Sequence, residues 1–201
     1  MTEAIIFPIL WIGKELSQDC YYNQGMTEKP VASFDFIAPF PIQILTRSLT
    51  GGTDWHSWDE GEGFFSVPLG TDEYGIRVHN IDDADLYRLV KAVSGWDGLV
   101  LLNLSENRNL TDKGLAYLSQ LPKLRYLNLS SVSISNAGTN HISQLSQLEE
   151  LDLSFCNRLN DVGLRPLKSL KRLRKLNLQG CIKVKNSGVR MIESKGLEIK
   201  K

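Results

Sequence analysis

A chain of 201 residues is long enough for one well-packed core that buries about 70% of its unfolded surface. Hydrophobic residues make up 42% and charged residues 23%, which excludes disordered and fibrous classes. The net charge is zero but unevenly spread: residues 1–98 carry 6 Lys/Arg against 15 Asp/Glu, and residues 99–201 carry 17 against 8, so two regions with different jobs are expected.

The longest apolar run, AIIFPILWI at 4–12, is too short to cross a bilayer and follows Glu3 rather than a basic segment, so no membrane contact and a cytoplasmic location are expected. Beyond it, residues 1–73 hold short apolar segments, SFDFIA, IQIL and FFSVPL, between Pro and Gly clusters. This reads as a small β-rich N-terminal region that seals the open edge of the first downstream unit. GGTDWHSWDEGEG at 51–63 reads as a turn whose tryptophans pack onto that unit. One His among scattered carboxylates, without the spacing of a calcium loop, assigns no metal.

Residues 74–98 read as one degenerate unit. Tyr74, Ile76 and Val78 alternate as a strand, Asp82, Asp83 and Asp85 favour a helix start, and Leu86, Leu89, Val90 and Val93 form its apolar stripe. From residue 99 the chain repeats itself: units begin at Leu99, Leu124, Leu148 and Leu173, with a terminal strand, LEIKK, at Leu197 and no capping helix after it. Within each, an L-x-L alternation sends Leu102 and Leu104, Leu127 and Leu129, Leu151 and Leu153, Leu176 and Leu178 to one side. A helical stripe comes next: Leu115, Leu118 and Leu121, then Leu164, Leu167 and Leu170, then Val189 and Ile192, with Thr111, Asn160 and Asn186 as N-caps.

These units, L-x-x-L-x-L-x-x-(N/C) with the phrase C-x-x-L-x-D-x-G-L, resemble leucine-rich repeats of the cysteine-containing type found in ribonuclease-inhibitor-like and F-box proteins. The resemblance covers residues 99–201. It implies an α/β leucine-rich repeat solenoid, a curved parallel sheet backed by helices, with four repeats of 24–25 residues plus the terminal strand. Position nine of the unit is Asn107, Val132, Cys156 and Cys181. The resemblance implies that this residue turns inward; a buried Cys there is expected to pack rather than react. The second unit, with Val132, is shorter and expects a tighter turn. His141 reads as a surface residue.

Three cysteines without a C-x-x-C pair argue against a disulfide framework and a structural zinc site. No nucleophile–base arrangement or phosphate loop occurs, so no catalytic residue, metal or cofactor is assigned. The remaining candidate is the concave strand face, where Leu101, Tyr126, Glu150, Asp152, Phe155, Arg174, Lys175 and Asn177 are displayed for a protein partner. The basic run from Lys168 to Lys185 lacks interleaved aromatics and reads as a solvated ridge, not a nucleic-acid site. The acidic first half and basic second half also suggest self-association. Two alternatives stand beside a non-enzymatic interaction module: a substrate-recognition subunit of a ubiquitin-ligase-like assembly, with APFPIQILTRSL at 38–49 as its start, and an enzyme within residues 1–73 using His56 or Cys20.

Overall fold

The computed structural model describes residues 32–48, 54–70 and 72–201; the expectations for AIIFPILWI and Cys20 lie outside them. Strands β1 (Ser33–Ser48) and β2 (His56–Pro68) form an antiparallel hairpin. Its inner face buries Phe36, Ala38, Ile42, Ile44, Phe65 and Val67. Two expectations are corrected here. SFDFIA and IQIL are not separate short segments but one 16-residue strand, because Pro39 and Pro41 fall where the pairing skips between Ala38 and Ile42 and no ladder bond needs their missing N–H. The stretch expected as a turn at 51–63 is strand from His56 onward; Gly61 and Gly63, opposite that skip, take φ of 145° and 96°.

Strand β3 (Asp72–Arg77) joins two kinds of pairing, antiparallel to β1 on one side and parallel to β4 (Leu99–Asn103) on the other. Between them, α1 (Asp83–Val93) begins on Asp82, whose carboxylate accepts from the amides of Ala84 and Asp85 while Asp85 reaches back to Asp82. Leu86, Leu89, Val90 and Val93 are buried, as their spacing requires. Trp96 stacks on Phe34 at 5.5 Å and lies tilted against Phe36 and Tyr74, so an aromatic cluster fills the space between the hairpin and this unit.

The remaining units alternate strand and helix: α2 (Asp112–Leu115), β5 (Tyr126–Asn128), α3 (Gly138–Ile142), β6 (Glu150–Asp152), α4 (Asp161–Leu164), β7 (Lys175–Asn177), α5 (Asn186–Ile192) and β8 (Glu198–Lys200). Single 3-10 turns extend α2 and α4. The order of the eight-stranded sheet is β2-β1-β3-β4-β5-β6-β7-β8, parallel from β3 onward. All eight L-x-L leucines of β4 to β7 are buried, at 3% exposure or less, on the helix side. That burial leaves the other face of each strand uncovered by helices.

The x-D-x-G step has a direct cause. Asp83, Asp112 and Asp161 each accept a bond at Oδ1 from a backbone amide of the next unit, Thr111, Ser135 and Lys185, at 2.7–2.8 Å; Asn136 does the same for Asn160 at 3.1 Å. The carboxylate oxygens of Asp83, Asp112 and Asp161 lie about 2.5 Å from where a Cβ would stand on Gly114, Gly138 and Gly188, so any larger residue there forces the bonded carboxylate to shift. Thr111 and Asn160 are N-caps as expected. Asn186 is not: Lys185 holds that position, and Asn186 is the first helical residue, where its Oδ1 accepts from Lys201.

Position nine points inward in every unit: Asn107, Val132, Cys156 and Cys181 are all 3% exposed or less. Cys156 donates to the Leu129 carbonyl at 3.2 Å and Cys181 to that of Leu153 at 3.0 Å, each one unit back. Val132 cannot donate. Asn107 compensates, because its amide serves both Val78 O, one unit back, and Leu104 O, the carbonyl that Val132 leaves unserved, each at 2.9 Å. Its Oδ1 accepts from the Ile81 amide at 2.9 Å.

Candidate functional site

Parallel pairing in register turns single positions into rows across the open face. One row runs Gly75, Leu101, Tyr126, Glu150, Lys175, Glu198, and the next Arg77, Asn103, Asn128, Asp152, Asn177, Lys200. Gly75 is bare because Leu101 lies over it, 2.8 Å from where its Cβ would stand. Together with Leu45 and Trp55 these rows line a cleft of about 380 Å³. Of the residues expected at the site, Leu101, Tyr126, Glu150, Asp152, Lys175 and Asn177 lie in the cleft wall.

Arg174 and Phe155 do not. Arg174 is exposed at the strand start, beside Glu149 and Lys171 in a separate depression. Phe155 sits in the turn after β6 with φ of 59° and its side chain 52% exposed. The left-handed conformation recurs at that turn in every unit, at Asn80, Glu106, Ser131, Phe155 and Gly180, so the backbone dictates it and the phenylalanine accepts the strain. Its ring lies over Gly180, where any Cβ would meet it.

A polar cluster at the β3 end of the cleft joins Tyr126 to residues outside the expected set. Glu73, 7% exposed at the start of β3, is held by the guanidinium groups of both Arg47 and Arg125. Arg125 also grips Glu149 through Nε at 2.8 Å and Nη2 at 3.1 Å. Arg47 donates to the Tyr126 hydroxyl at 2.9 Å, and its guanidinium carbon lies 4.8 Å from the centroids of both Trp55 and Tyr126. Trp55 meets Tyr126 edge-on at 5.9 Å. The bond from Arg125 holds the Glu149 carboxyl below the usual carboxylate range; the same bond raises Arg125 against the lowering effect of burial. Arg47, Trp55, Glu73 and Arg77 come from the hairpin and β3, whose pairing with the repeats has no periodic signal. The two tryptophans of DWHSW do pack downstream, Trp55 on Tyr126 of β5 and Trp58 edge-on to Tyr74 of β3 at 6.3 Å.

In the second row, each side-chain oxygen of Asn103, Asn128, Asp152 and Asn177 accepts the amide two residues on, at 2.8–3.1 Å. These turns fix the side chains where the strands end. Asp152 is further occupied by the Ser154 hydroxyl at 2.6 Å and the Asn177 amide at 2.8 Å. Lys175 pairs with Glu150 at 2.8 Å, which raises the lysine from its ordinary value.

Burial pushes the Cys156 thiol up to about 12, and raises that of Cys181 for the same reason; neither is bonded to another cysteine. Burial, with Asp72 nearby, takes the Tyr74 hydroxyl to about 12. His141 is half-buried on α3 rather than fully at the surface, and His56 is exposed on β2. Among the described residues no group of three or more His, Cys, Asp or Glu is placed to hold a metal ion, and no helix is long and apolar enough to cross a membrane. The family model described as Leucine Rich repeat matches residues 99–119, from β4 through α2, and residues 145–168, from the turn before β6 through α4, so these two stretches of the strand–helix array are similar to leucine-rich repeats.

Proposed function

We propose that this chain is a non-enzymatic interaction module that docks a protein partner on the helix-free, concave face of its repeats. Leu101, Tyr126, Glu150, Asp152, Lys175 and Asn177 form the floor of the dock, with Arg174 and Phe155 on its rim. Residues 74–98 act as a degenerate first repeat and the hairpin before them as its cap. The observation that carries this reading is the fixed state of the cleft: Tyr126 is held by Arg47 and Trp55, and the second row by its own turns, before any partner arrives. A surface so ordered loses little side-chain entropy on docking, so more of the contact energy appears as affinity.

The test is co-purification of the full chain with its partner from a native extract, beside a Tyr126→Ala/Glu150→Lys variant. The expected result is recovery of a partner by the unaltered chain and loss of roughly tenfold or more in the variant, with its thermal unfolding little changed. Equal recovery by a folded variant contradicts the reading.

A further inference from the structure

The two ends of the cleft differ in what they leave unpaired. Toward β7 the polar groups answer one another: Glu150 takes Lys175, and Asp152 takes Asn177. Toward β3 they do not. Arg77 makes one long bond, to Gln43 Oε1 at 3.3 Å, and no ion pair among the described residues. Asn103 and Asn128 commit their oxygens to the turns after their strands, which leaves the amide nitrogens as donors with no acceptor in the described chain.

Register sets Arg77, Asn103 and Asn128 side by side on consecutive strands, about 4.8 Å apart. All three are only half-buried and line the cleft, next to the apolar surface of Leu101, Tyr126 and Trp55. A row of donors headed by a guanidinium calls for an anionic acceptor of planar, two-oxygen geometry. Asp152, next in the row, repels such a group and confines it to the Arg77 end. The adjoining apolar surface calls for a hydrocarbon side chain within one or two residues of it.

We propose that the cleft takes an acidic peptide segment of the partner, an Asp or Glu carboxylate seated on Arg77, Asn103 and Asn128 with a neighbouring apolar side chain on Leu101, Tyr126 and Trp55. This inference rests on the reading of the open face as a docking surface and names what is docked.

The probe is a display library of random twelve-residue peptides selected on the full chain. Recovered peptides are then titrated by fluorescence anisotropy against the unaltered chain and against Arg77→Gln, Tyr126→Ala and Lys200→Gln. Each substitution replaces a half-buried or exposed side chain, so circular dichroism checks that the fold is kept. The expected result is enrichment of Asp or Glu beside Leu, Phe or Trp. Roughly tenfold weakening is expected in Arg77→Gln, a similar loss when the peptide carboxylate becomes an amide, and under about twofold in Lys200→Gln at the far end of the row. Peptides that need Tyr126 but not Arg77, or that are enriched in basic residues, overturn the acidic-segment inference and leave the docking surface standing. Peptides indifferent to both residues, or no peptide at all, overturn the inference and the docking surface together.

Discussion

Asn107 serves four backbone groups, the Val78, Leu104 and Ser105 carbonyls and the Ile81 amide, where a cysteine serves one. Replacing it with valine, the residue found one unit on, strands the Val78 and Leu104 carbonyls and the Ile81 amide in the core. Each such group costs about 1–3 kcal/mol, so Asn107→Val is expected to lose about 3 kcal/mol or more in urea unfolding. Asn107→Cys is expected to lose less, since a thiol there can serve Val78 O as Cys156 serves Leu129 O. Gly138 offers a second check. Alanine gains about 1 kcal/mol of helix propensity but puts its Cβ about 2.5 Å from Asp112 Oδ1, so a net loss of about 1–2 kcal/mol is expected. In an Asp112→Ala background only the closer-than-usual contact with Leu115 Cδ1, at 3.1 Å, remains to offset the propensity gain, so the same change is expected to be near neutral, and additive effects would refute the clash. The Cys156 thiol, about 12 when folded against 9.0 ordinarily, stays neutral at pH values where an unfolded chain ionises it. Its contribution is full below pH 9 and is lost as pH rises toward 12, so Cys156→Ala is expected to flatten the alkaline fall of stability measured in urea across that window.

Among the elements, β3 decides how the hairpin and the repeats share one sheet, and Glu73 at its start ties them through Arg47 of β1 and Arg125 before β5. Removing its charge leaves two guanidinium groups facing each other across a buried amide. Because both arginines are partly exposed, the loss for Glu73→Gln is expected near ~2 kcal/mol, below the range for a fully buried pair, as read from the denaturation midpoint. An unchanged midpoint would show that the network is only surface decoration. The repeat strands were legible in the sequence because their leucines recur every 24–25 residues and each unit faces the same neighbours. The hairpin was not legible in the same way. Pro39, Pro41, Gly61 and Gly63 are loop signals locally, and only the pairing across the strands turns them into a bulge. Asn186 misled by analogy with Asn160, which stands one position earlier relative to its glycine.

At the scale of the whole molecule, the same division explains which parts of the site could be read in advance. Tyr126, Glu150, Asp152, Lys175 and Asn177 come from x positions of L-x-x-L-x-L, the third and fifth of each unit, and they line the cleft. Trp55 and Arg77 come from outside the period and complete its wall, with Arg47 bracing Tyr126, since a cleft that spans the hairpin and the repeats has no single-repeat signature. The most direct measurement of the docking claim is photo-crosslinking of the native partner. Benzoylphenylalanine is placed at Lys175, on the open face, and in a second chain at Lys168, on the opposite, helix-bearing side. A partner adduct from position 175 and none from 168 is the predicted outcome; adducts from 168 alone would put the partner on the helices and contradict the account.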